Sequence, residues 1–314
     1  MLLRRLRWVL AGALVAWTLV RAFGFERGWP LVPLLAFTPY VVPLALLVTA
    51  LSAWRRWWAG AVVCGACTVL LLALLAPRAI PNRAPENAAG VRVRVLAANV
   101  AGNERAAGEV IAAIRRWDVD VFSAIELPPA VVLAYERAGA ESLFPSRALL
   151  PRPGFAGTGL YSRLPLAPAS ALRGTAFAFA AAELRAHGAA PVDLMSVHPL
   201  APTDADATAQ WRRDLRLLPA SGEGRPRVLA GDFNATFDHA EFRRVLGRGY
   251  RDAAEQAGVA LRPTWRVGRS LPPTVTIDHV LADRRIRVVS ARSVAIPGSD
   301  HRGVIADLLL PRGA

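Results

Sequence analysis

Gly231-Asp232-Phe233-Asn234 is the stretch that decides the fold of this 314-residue chain. The apolar run 227–230 before it predicts a buried strand, so Asp232 and Asn234 stand where that strand ends. Their i, i+2 spacing in an extended segment puts both side chains on one face. Considered alone, the same two residues are equally typical of an Asx turn after a strand.

Two further acidic–histidine pairs follow along the chain, in Ile277-Asp278-His279 and Ser299-Asp300-His301. Each pair stands beside a β-branched run that predicts a strand. Three strand ends therefore present carboxylate, amide and imidazole groups to a common rim. These groups are suited to metal-assisted attack of water on a phosphorus centre.

Seven short motifs in this order resemble the endonuclease/exonuclease/phosphatase superfamily, the DNase I-like metal-dependent phosphoesterases. They are Leu96-Ala-Ala-Asn99, Ala124-Ile-Glu126, Gly159-Leu-Tyr-Ser-Arg163, Val197-His198-Pro199, Gly231-Asp-Phe-Asn234, Ile277-Asp278 and Ser299-Asp-His301. The resemblance implies an α/β fold, the DNase I-like four-layered sandwich of two packed sheets flanked by helices. The pattern of predicted strands and helices by itself indicates only α/β or α+β.

The resemblance also implies a metal site. In the family the residue matching Glu126 binds the metal and the residue matching Asn99 assists it, while Asp300 reaches the ion directly or through water. Hard oxygen ligands of this kind suit Mg²⁺ or Mn²⁺. Ile125 stands where the family usually has Gln, so one secondary polar contact of the family is not expected here.

The catalytic roles come from the same resemblance. Asp232 and Asn234 match the residues that position the attacking water and hold a phosphoryl oxygen. Asp278 orients His301 and stabilises its imidazolium. His198 is the candidate to protonate the leaving oxygen, although a lone histidine at a strand end is more often a structural polar group.

The remaining three histidines are predicted to be structural. His279 follows Asp278 in a strand and so points to the opposite face. His239 is expected to begin a helix over 240–246, and His187 lies in a turn rich in Gly and Ala.

The chain is 54% hydrophobic overall, and the excess of hydrophobic residues lies in the first 76 positions. They contain three mainly apolar runs, Leu6–Val20, with Arg7 at its start, Leu31–Ala53 and Trp57–Ala76. At ~1.5 Å per residue the two longer runs can each cross a ~30 Å hydrocarbon core. We therefore predict an anchor of three transmembrane helices over 1–76, an extended linker over 77–90 and a catalytic domain over 91–314.

Arginine placement predicts the orientation of this anchor. Five arginines flank one side of the three predicted helices and four flank the other, namely Arg4, Arg5, Arg7, Arg55 and Arg56 against Arg21, Arg27, Arg78 and Arg83. The positive-inside rule then favours a cytoplasmic N-terminus and a catalytic domain on the extracytoplasmic side of the cell membrane.

The net charge of +14 does not by itself indicate a nucleic-acid partner. Every basic residue is arginine, and the domain after residue 90 has 29 Arg against 22 acidic residues, spread without long runs. Diffuse charge of this kind helps to hold a domain near an anionic lipid surface or a polyanion.

Anchoring favours a substrate that is itself in the bilayer, such as a phospholipid or a polyprenyl pyrophosphate. The anchor and domain together resemble the bacterial membrane-anchored members associated with glycopeptide resistance, the VanJ-like group, which favours a lipid pyrophosphate. A tethered extracellular nuclease is the alternative among enzymes. From another class, the chain could be a catalytically inactive binding module on the same scaffold.

Overall fold

The N-terminal helices form a small bundle in the computed structural model, which describes residues 2–85, 88–266 and 274–313. They are α1 (Leu2–Phe23), α2 (Leu31–Leu35), α3 (Thr38–Trp54) and α4 (Trp58–Leu75). Helix α4 packs against α1 and α3 around an apolar cluster that includes Leu14, Ala45 and Leu71. Glu86 and Asn87 of the predicted linker lie outside the described residues.

The single helix predicted over Leu31–Ala53 is wrong, because the backbone turns at Ala36 and Phe37 between α2 and α3. One continuous helix would place Pro39 in its interior, where proline has no N–H to donate. In the structure Pro39 stands at the start of α3, where the missing N–H is tolerated. Among the described helices, those within Arg5–Phe23 and Trp58–Arg78 are long and apolar enough to cross a membrane. The 17-residue α3 is shorter, so the third crossing stays a prediction.

Two six-stranded mixed sheets make up the centre of the described residues that follow the anchor. The first sheet has the order β11 (Arg287–Ala295), β12 (Arg302–Leu310), β1 (Val91–Asn99), β2 (Val121–Ile125), β4 (Thr158–Ser162) and β3 (Ser146–Leu150). The second has the order β5 (Leu166–Pro168), β6 (Ala181–Leu184), β7 (Val192–Val197), β8 (Arg227–Asp232), β10 (Asp278–Asp283) and β9 (Tyr250–Asp252).

Helices cover the outer faces of both sheets. They are α5 (Ala107–Trp117), α6 (Pro129–Arg137), α7 (Ala140–Leu143), α8 (Ala205–Leu217), α9 (Ala240–Gly247) and α10 (Ala253–Gln256). Aliphatic side chains of both sheets meet in a central core, α5 and α6 pack on the first sheet, and α8 and α9 pack on the second. The predicted sandwich of two sheets between helices is therefore confirmed.

Helix α8 begins at Ala205. The Asp204 side chain, not that of Thr203, accepts a hydrogen bond from the backbone N–H of Ala207 at 2.8 Å and caps the helix. Asp and Thr are both good N-cap residues, and Asp is the slightly stronger of the two.

Parallel pairing in each sheet creates the rim on which the polar residues meet. Strand β1 pairs in parallel with β2, and β7 pairs in parallel with β8. Strand β10 runs antiparallel to β8, with Asp278 opposite Asp232, and β12 runs antiparallel to β1. The ends of four strands and the beginnings of two others thus lie at one edge of the sandwich.

The N-terminal helix bundle is joined to the two-sheet domain by buried polar contacts as well as by the chain. Asp238 is fully buried and pairs with Arg21 at the end of α1 at 2.5 Å and with Arg78 after α4 at 2.6 Å. Val32 of α2 is fully buried and belongs to the same apolar cluster as the outer face of the second sheet. The predicted linker is also held, since the N–H of Asn82 donates to the carbonyl of Gln256 at 2.7 Å.

Candidate active site

Asp232 stands at the centre of the polar residues on the rim. Its Oδ2 lies 3.8 Å from Nε2 of His301 and 4.0 Å from Nε2 of His198, and it accepts a hydrogen bond from Nδ2 of Asn99 at 3.2 Å. Its Oδ1 accepts the backbone N–H of Asn234 at 2.8 Å. Burial, with the nearby Asp278, raises the pKa of Asp232 to about 7 against the opposing effect of His301.

His301 is paired with Asp278 across the start of β10. Nδ1 of the imidazole lies 3.0 Å from Oδ2 and 3.3 Å from Oδ1 of the carboxylate. Burial by itself lowers the pKa of His301, but the charge and hydrogen bond of Asp278, helped by Asp232, raise it to about 9. His301 is therefore an imidazolium at neutral pH, with Nε2 directed toward Asp232.

His198 has the opposite charge state. Burial, with the positive charge of His301, lowers its pKa to about 3, so the imidazole is neutral at pH 7. Nδ1 lies 3.1 Å from the carbonyl oxygen of Phe155, which fixes the proton on Nδ1 and leaves Nε2 as an acceptor. The Phe177 ring packs against this imidazole with 5.0 Å between ring centroids.

Glu126 directly follows strand β2, and Asn99 is the last residue of the parallel strand β1 in the first sheet. Nδ2 of Asn99 donates to Oε1 of Glu126 at 2.9 Å and so links this carboxylate to Asp232. Burial raises the pKa of Glu126, and Asp300 and Asp278 add to that effect. Of the three predicted metal ligands, Glu126 and Asn99 are in contact with each other, while Asp300 acts on Glu126 by its charge.

Backbone geometry sets the direction of two of these side chains. Glu126 and Asn234 are non-glycine residues with positive φ, at 58° and 47°. Such conformations are uncommon outside glycine and concentrate at functional sites. In both cases they follow the end of a strand and turn the side chain toward the rim, where Nδ2 of Asn234 donates to the carbonyl of Pro199 at 3.0 Å.

Gly231 is required by the close approach of β7. A Cβ at this position would stand 2.1 Å from the carbonyl oxygen of Val197. Any side chain would therefore push apart the two strands that present Asp232 and His198. Gly231 therefore allows β7 and β8 to pack closely, while Asp232 and Asn234 supply side chains to the site.

Thr264 and Trp265 are site residues that the sequence motifs did not reveal. The hydroxyl of Thr264 accepts the backbone N–H groups of Ile277 at 3.0 Å and Asp278 at 3.1 Å. Trp265 forms a backbone bridge with His301, and its ring centroid is 6.2 Å from the imidazole. They belong to an irregular segment whose pairing with residues 275–301 is long-range, so no local pattern marks them.

His279 and His239 have structural roles, as predicted. His279 is fully buried, with Nδ1 at 2.8 Å from Asp252 and Nε2 at 2.9 Å from the carbonyl of Ala235. His239 precedes α9, where the N–H of Thr236 donates to Nδ1 at 2.9 Å and Nε2 donates to the carbonyl of Val32 at 2.8 Å. These contacts fix the loop 235–239, which directly follows Asn234.

His239 should make stability depend on pH. Burial is the main cause that lowers its pKa to about 4; Asp238 opposes this effect, and Arg243 and Arg21 add to it. The unfolded imidazole takes up a proton near its ordinary pKa of about 6.5. Since the unfolded state binds this proton first, we expect up to about 3 kcal/mol of stability to be lost as pH falls from about 6.5 to about 4.

The measurement is urea unfolding at pH 7.5 and pH 5, compared between the wild type and His239→Gln. Other groups titrate in the same range, so the difference between the two proteins isolates the contribution of His239. An equal loss of stability in both proteins would show that the histidine is not held neutral.

The donor set of the rim fits a divalent cation. Ligand atoms of Asp232, Asp278 and His301 all lie within 4.8 Å of one another, but His301 is protonated and paired with Asp278, so the carboxylates are the groups here that can bind a cation. Glu126 stands one hydrogen-bonded residue away, through Asn99. Several carboxylates here raise one another's pKa, and a cation would relieve that repulsion. Carboxylate and amide oxygens favour Mg²⁺ or Mn²⁺ over softer metals.

Solved structures with the same fold cover most of this domain. The endonuclease/exonuclease/phosphatase of Beutenbergia cavernae DSM 12333 is 21% identical with a TM-score of 0.56, over 70% of this chain and 72% of that one. A humanized D. rerio TDP2 is 17% identical with a TM-score of 0.57, over 69% and 98%. The corresponding protein of Bacteroides vulgatus is 16% identical with a TM-score of 0.52, over 70% and 99%. Among curated proteins, no significantly similar relative was found.

A family model described as "Endonuclease/Exonuclease/phosphatase family" matches residues 96–301, about two-thirds of the chain. The matched segment begins at Leu96, at the start of the first motif, and ends at His301, so it contains every candidate site residue. Members of this family are hydrolases that act on phosphoester bonds. By this match and by its two-sheet sandwich, the chain belongs to the endonuclease/exonuclease/phosphatase family.

Proposed function

We propose that this protein is a membrane-anchored, divalent-metal-dependent phosphoesterase that cleaves the phosphate or pyrophosphate group of a membrane lipid outside the cytoplasm. A polyprenyl pyrophosphate is the substrate that we favour, in line with the resemblance to the VanJ-like members. The parts of this proposal rest on different observations, so each is argued separately.

The observation that carries the proposal is the set of partners around Asp232. One carboxylate whose pKa is about 7 faces an imidazolium on one side and a neutral imidazole on the other. A general base is most effective when its pKa is near the working pH. Oδ2 of Asp232, the candidate base, thus has the imidazolium of His301 and the neutral imidazole of His198 within about 4 Å.

These residues support the following sequence of events. Asp232 orients a water molecule and takes its proton as the water oxygen bonds to phosphorus, in line with the departing oxygen. His301 and Asn234 hold the phosphoryl oxygens while the bond to the leaving oxygen breaks. The negative charge of a bound phosphate favours uptake of a proton from solvent at Nε2 of His198, which then donates that proton to the leaving oxygen.

Glu126 and Asn99, with Asp300 beside them, are the residues that we expect to hold the cation. When bound, a divalent ion neutralises the charge that develops on the phosphoryl oxygens. The protein's own contribution is to keep Glu126 oriented by its hydrogen bond to Asn99, at 2.9 Å, and to keep the first sheet's carboxylate beside the second sheet's Asp232.

A lipid substrate is supported by how the helices meet the domain. The end of α1, the start of α3 and the end of α4 all contact the catalytic domain, through Arg21, Tyr40 and Arg78 respectively. A site fixed at this end of the bundle stays close to lipid headgroups.

A nuclease is the second candidate, and one comparison favours it. A similar solved structure is that of D. rerio TDP2 complexed with single strand DNA product, at 17% identity and a TM-score of 0.56. The same candidate site could cleave a phosphodiester. The rim residues described above do not discriminate between a phosphodiester and a lipid pyrophosphate, so the two substrates must be compared directly.

The decisive assay uses the full-length protein in detergent micelles with Mg²⁺ or Mn²⁺, and measures phosphate release from a prenyl pyrophosphate beside nicking of plasmid DNA. We expect phosphate release and intact plasmid. Because the rim carboxylates need a cation, EDTA should lower the rate to that of Asp232→Ala, and added Mg²⁺ should restore it.

Nicked plasmid without phosphate release would replace the lipid proposal by the nuclease. If the wild-type protein binds the lipid pyrophosphate but releases phosphate no faster than Asp232→Ala, the inactive binding module would be favoured.

A further inference from the structure

We propose that a cavity between the anchor and the catalytic domain holds the hydrocarbon chain of the substrate lipid next to its phosphate group. This inference rests on the proposed function. The cavity has a volume of about 270 Å³ and is called the junction cavity here. Its apolar walls include Tyr40, Pro43 and Leu75 from the anchor and Phe237, Leu261 and Pro263 from the domain.

The position of the junction cavity corresponds to the surface of a membrane. Its anchor wall is formed by the start of α3 and the end of α4, which lie at the same end of the bundle as the end of α1. Large aromatic side chains are exposed at this end: Phe23 is 66% exposed, Phe25 62%, Trp29 53% and Tyr40 50%. Aromatic residues are enriched where helices leave the hydrocarbon core. A lipid that rises from the bilayer toward the domain meets the cavity first.

Two short segments connect the junction cavity with the site. Thr236 and Phe237 line it and follow Asn234 within three residues. Thr274 and Thr276 line it too, and Val275 between them pairs with Trp265, which in turn pairs with His301. The hydroxyl of Tyr40 on α3 donates to the carbonyl of Thr274 at 2.8 Å. The segments that line the cavity are therefore continuous with, or paired to, residues of the phosphate site.

The charges at the junction cavity indicate an apolar occupant. Arg78 and Asp238 both line it, but they are buried and paired with each other at 2.6 Å and 2.8 Å. Arg78 also packs its guanidinium over the Phe237 ring, 5.3 Å from the centroid. Since these two charges already satisfy one another, they offer no free group for a second phosphate. What remains to be covered is hydrocarbon surface.

A chain in this cavity would exchange one apolar environment for another as it leaves the bilayer. This transfer costs little free energy, so the binding energy of the phosphate with His301 and Asn234 is not reduced by removal of the chain from the bilayer. A volume of about 270 Å³ encloses only the part of a long chain nearest the phosphate, and the rest stays among the lipids. The junction cavity would therefore favour substrates that carry a hydrocarbon chain, and chain length beyond the enclosed part would have little effect on binding.

The test compares two pyrophosphates that differ only in chain length, farnesyl and dimethylallyl pyrophosphate, with the full-length protein. Leu261→Trp fills the cavity from the domain side and Pro43→Trp fills it from the anchor side. Each methylene group kept out of an apolar site costs about fourfold in affinity. We expect the ratio of kcat/KM for the farnesyl over the dimethylallyl substrate to fall about tenfold in either variant, mostly through KM.

Leu217→Trp is the matched control, because Leu217 is 42% exposed and Leu261 is 41% exposed, and Leu217 does not line the cavity. Its ratio should equal that of the wild type. An unchanged ratio in both cavity variants would overturn the chain site while leaving the phosphoesterase intact. If the wild-type protein hydrolyses neither pyrophosphate, the proposed function itself fails, and the chain site with it.

Discussion

Replacing Asp232 by Asn is expected to lower kcat by about 10³-fold, within the range of about 10²–10⁴ for the loss of a positioned base. The amide has the shape of the carboxylate, so the hydrogen bond from the N–H of Asn234 to this side chain can persist. It cannot take a proton from water, and it no longer balances the imidazolium of His301, 3.8 Å away. The fold should survive, because the neighbouring strands do not depend on the charge.

Initial rates on the substrate identified by the assay above are the measurement, with circular dichroism to show that the fold is kept. His301→Gln should have an effect of similar size, since it removes the cation that faces the phosphoryl oxygens. His187→Gln is the matched control for histidine loss, because His187 is exposed in a turn and belongs to none of the motifs. A rate for Asp232→Asn within about tenfold of wild type would contradict the role of Asp232 as the base.

The rim of the sandwich was predictable because its signals are local. Strand β8 was expected from its apolar run and ends at Asp232, as the tetrapeptide indicated. The alternation rule also placed His279 on the face opposite Asp278, where it contacts Asp252. Motif order then supplied which strand ends meet, because parallel and antiparallel pairing across two sheets cannot be read from one segment.

What escaped prediction depends on contacts between distant parts of the chain. Thr264 and Trp265 support Asp278 and His301 from an irregular segment that has no periodic pattern. The segment after α4 was predicted as an extended tether, yet Arg78 in it forms a buried ion pair with a residue 160 positions away. A single arginine in a polar segment gives no local sign of such a partner.

The charge states were equally hidden. His198 and His301 both stand next to strands and have the same ordinary pKa, yet one is neutral and the other is an imidazolium at neutral pH. The difference follows from their partners, since His301 contacts the carboxylate of Asp278 and His198 contacts a backbone carbonyl. Sequence motifs identify such residues but not the groups that their nitrogen atoms face.

The buried ion pairs of Asp238 give the second large expected effect, which is on stability. Asp238 is fully buried, and its carboxylate pairs with Arg21 and Arg78, both only about 4% exposed. Burial opposes its ionisation, but the two arginines together lower the pKa of Asp238. Asp238→Ala leaves two buried guanidinium groups without this partner, and removal of one member of a buried pair typically costs about 3–5 kcal/mol.

Urea unfolding of the full-length protein in detergent micelles, followed by tryptophan fluorescence, measures this loss. Glu141→Ala is the matched control, because the Glu141 side chain is 68% exposed in its pair with Arg147, and exposed pairs contribute about 0–1 kcal/mol. A loss no larger than that of the control would mean that the Asp238 cluster does not hold the anchor to the domain.

A triple variant separates the effect of unpaired charge from that of lost contact. Arg21→Met, Arg78→Met and Asp238→Leu together remove the three paired charges, leave the neighbouring Arg243 in place and keep apolar bulk between the N-terminal helices and α9. Replacing a whole buried ion cluster by apolar residues of similar volume is often neutral or stabilising, so the triple variant should recover most of the stability lost in Asp238→Ala. Recovery of stability would assign the loss to uncompensated charge at the junction. A triple variant as unstable as Asp238→Ala would instead show that the directional hydrogen bonds of Asp238 hold the loop 235–239, and the activity of that variant would then measure how far the position of Asn234 depends on the anchor.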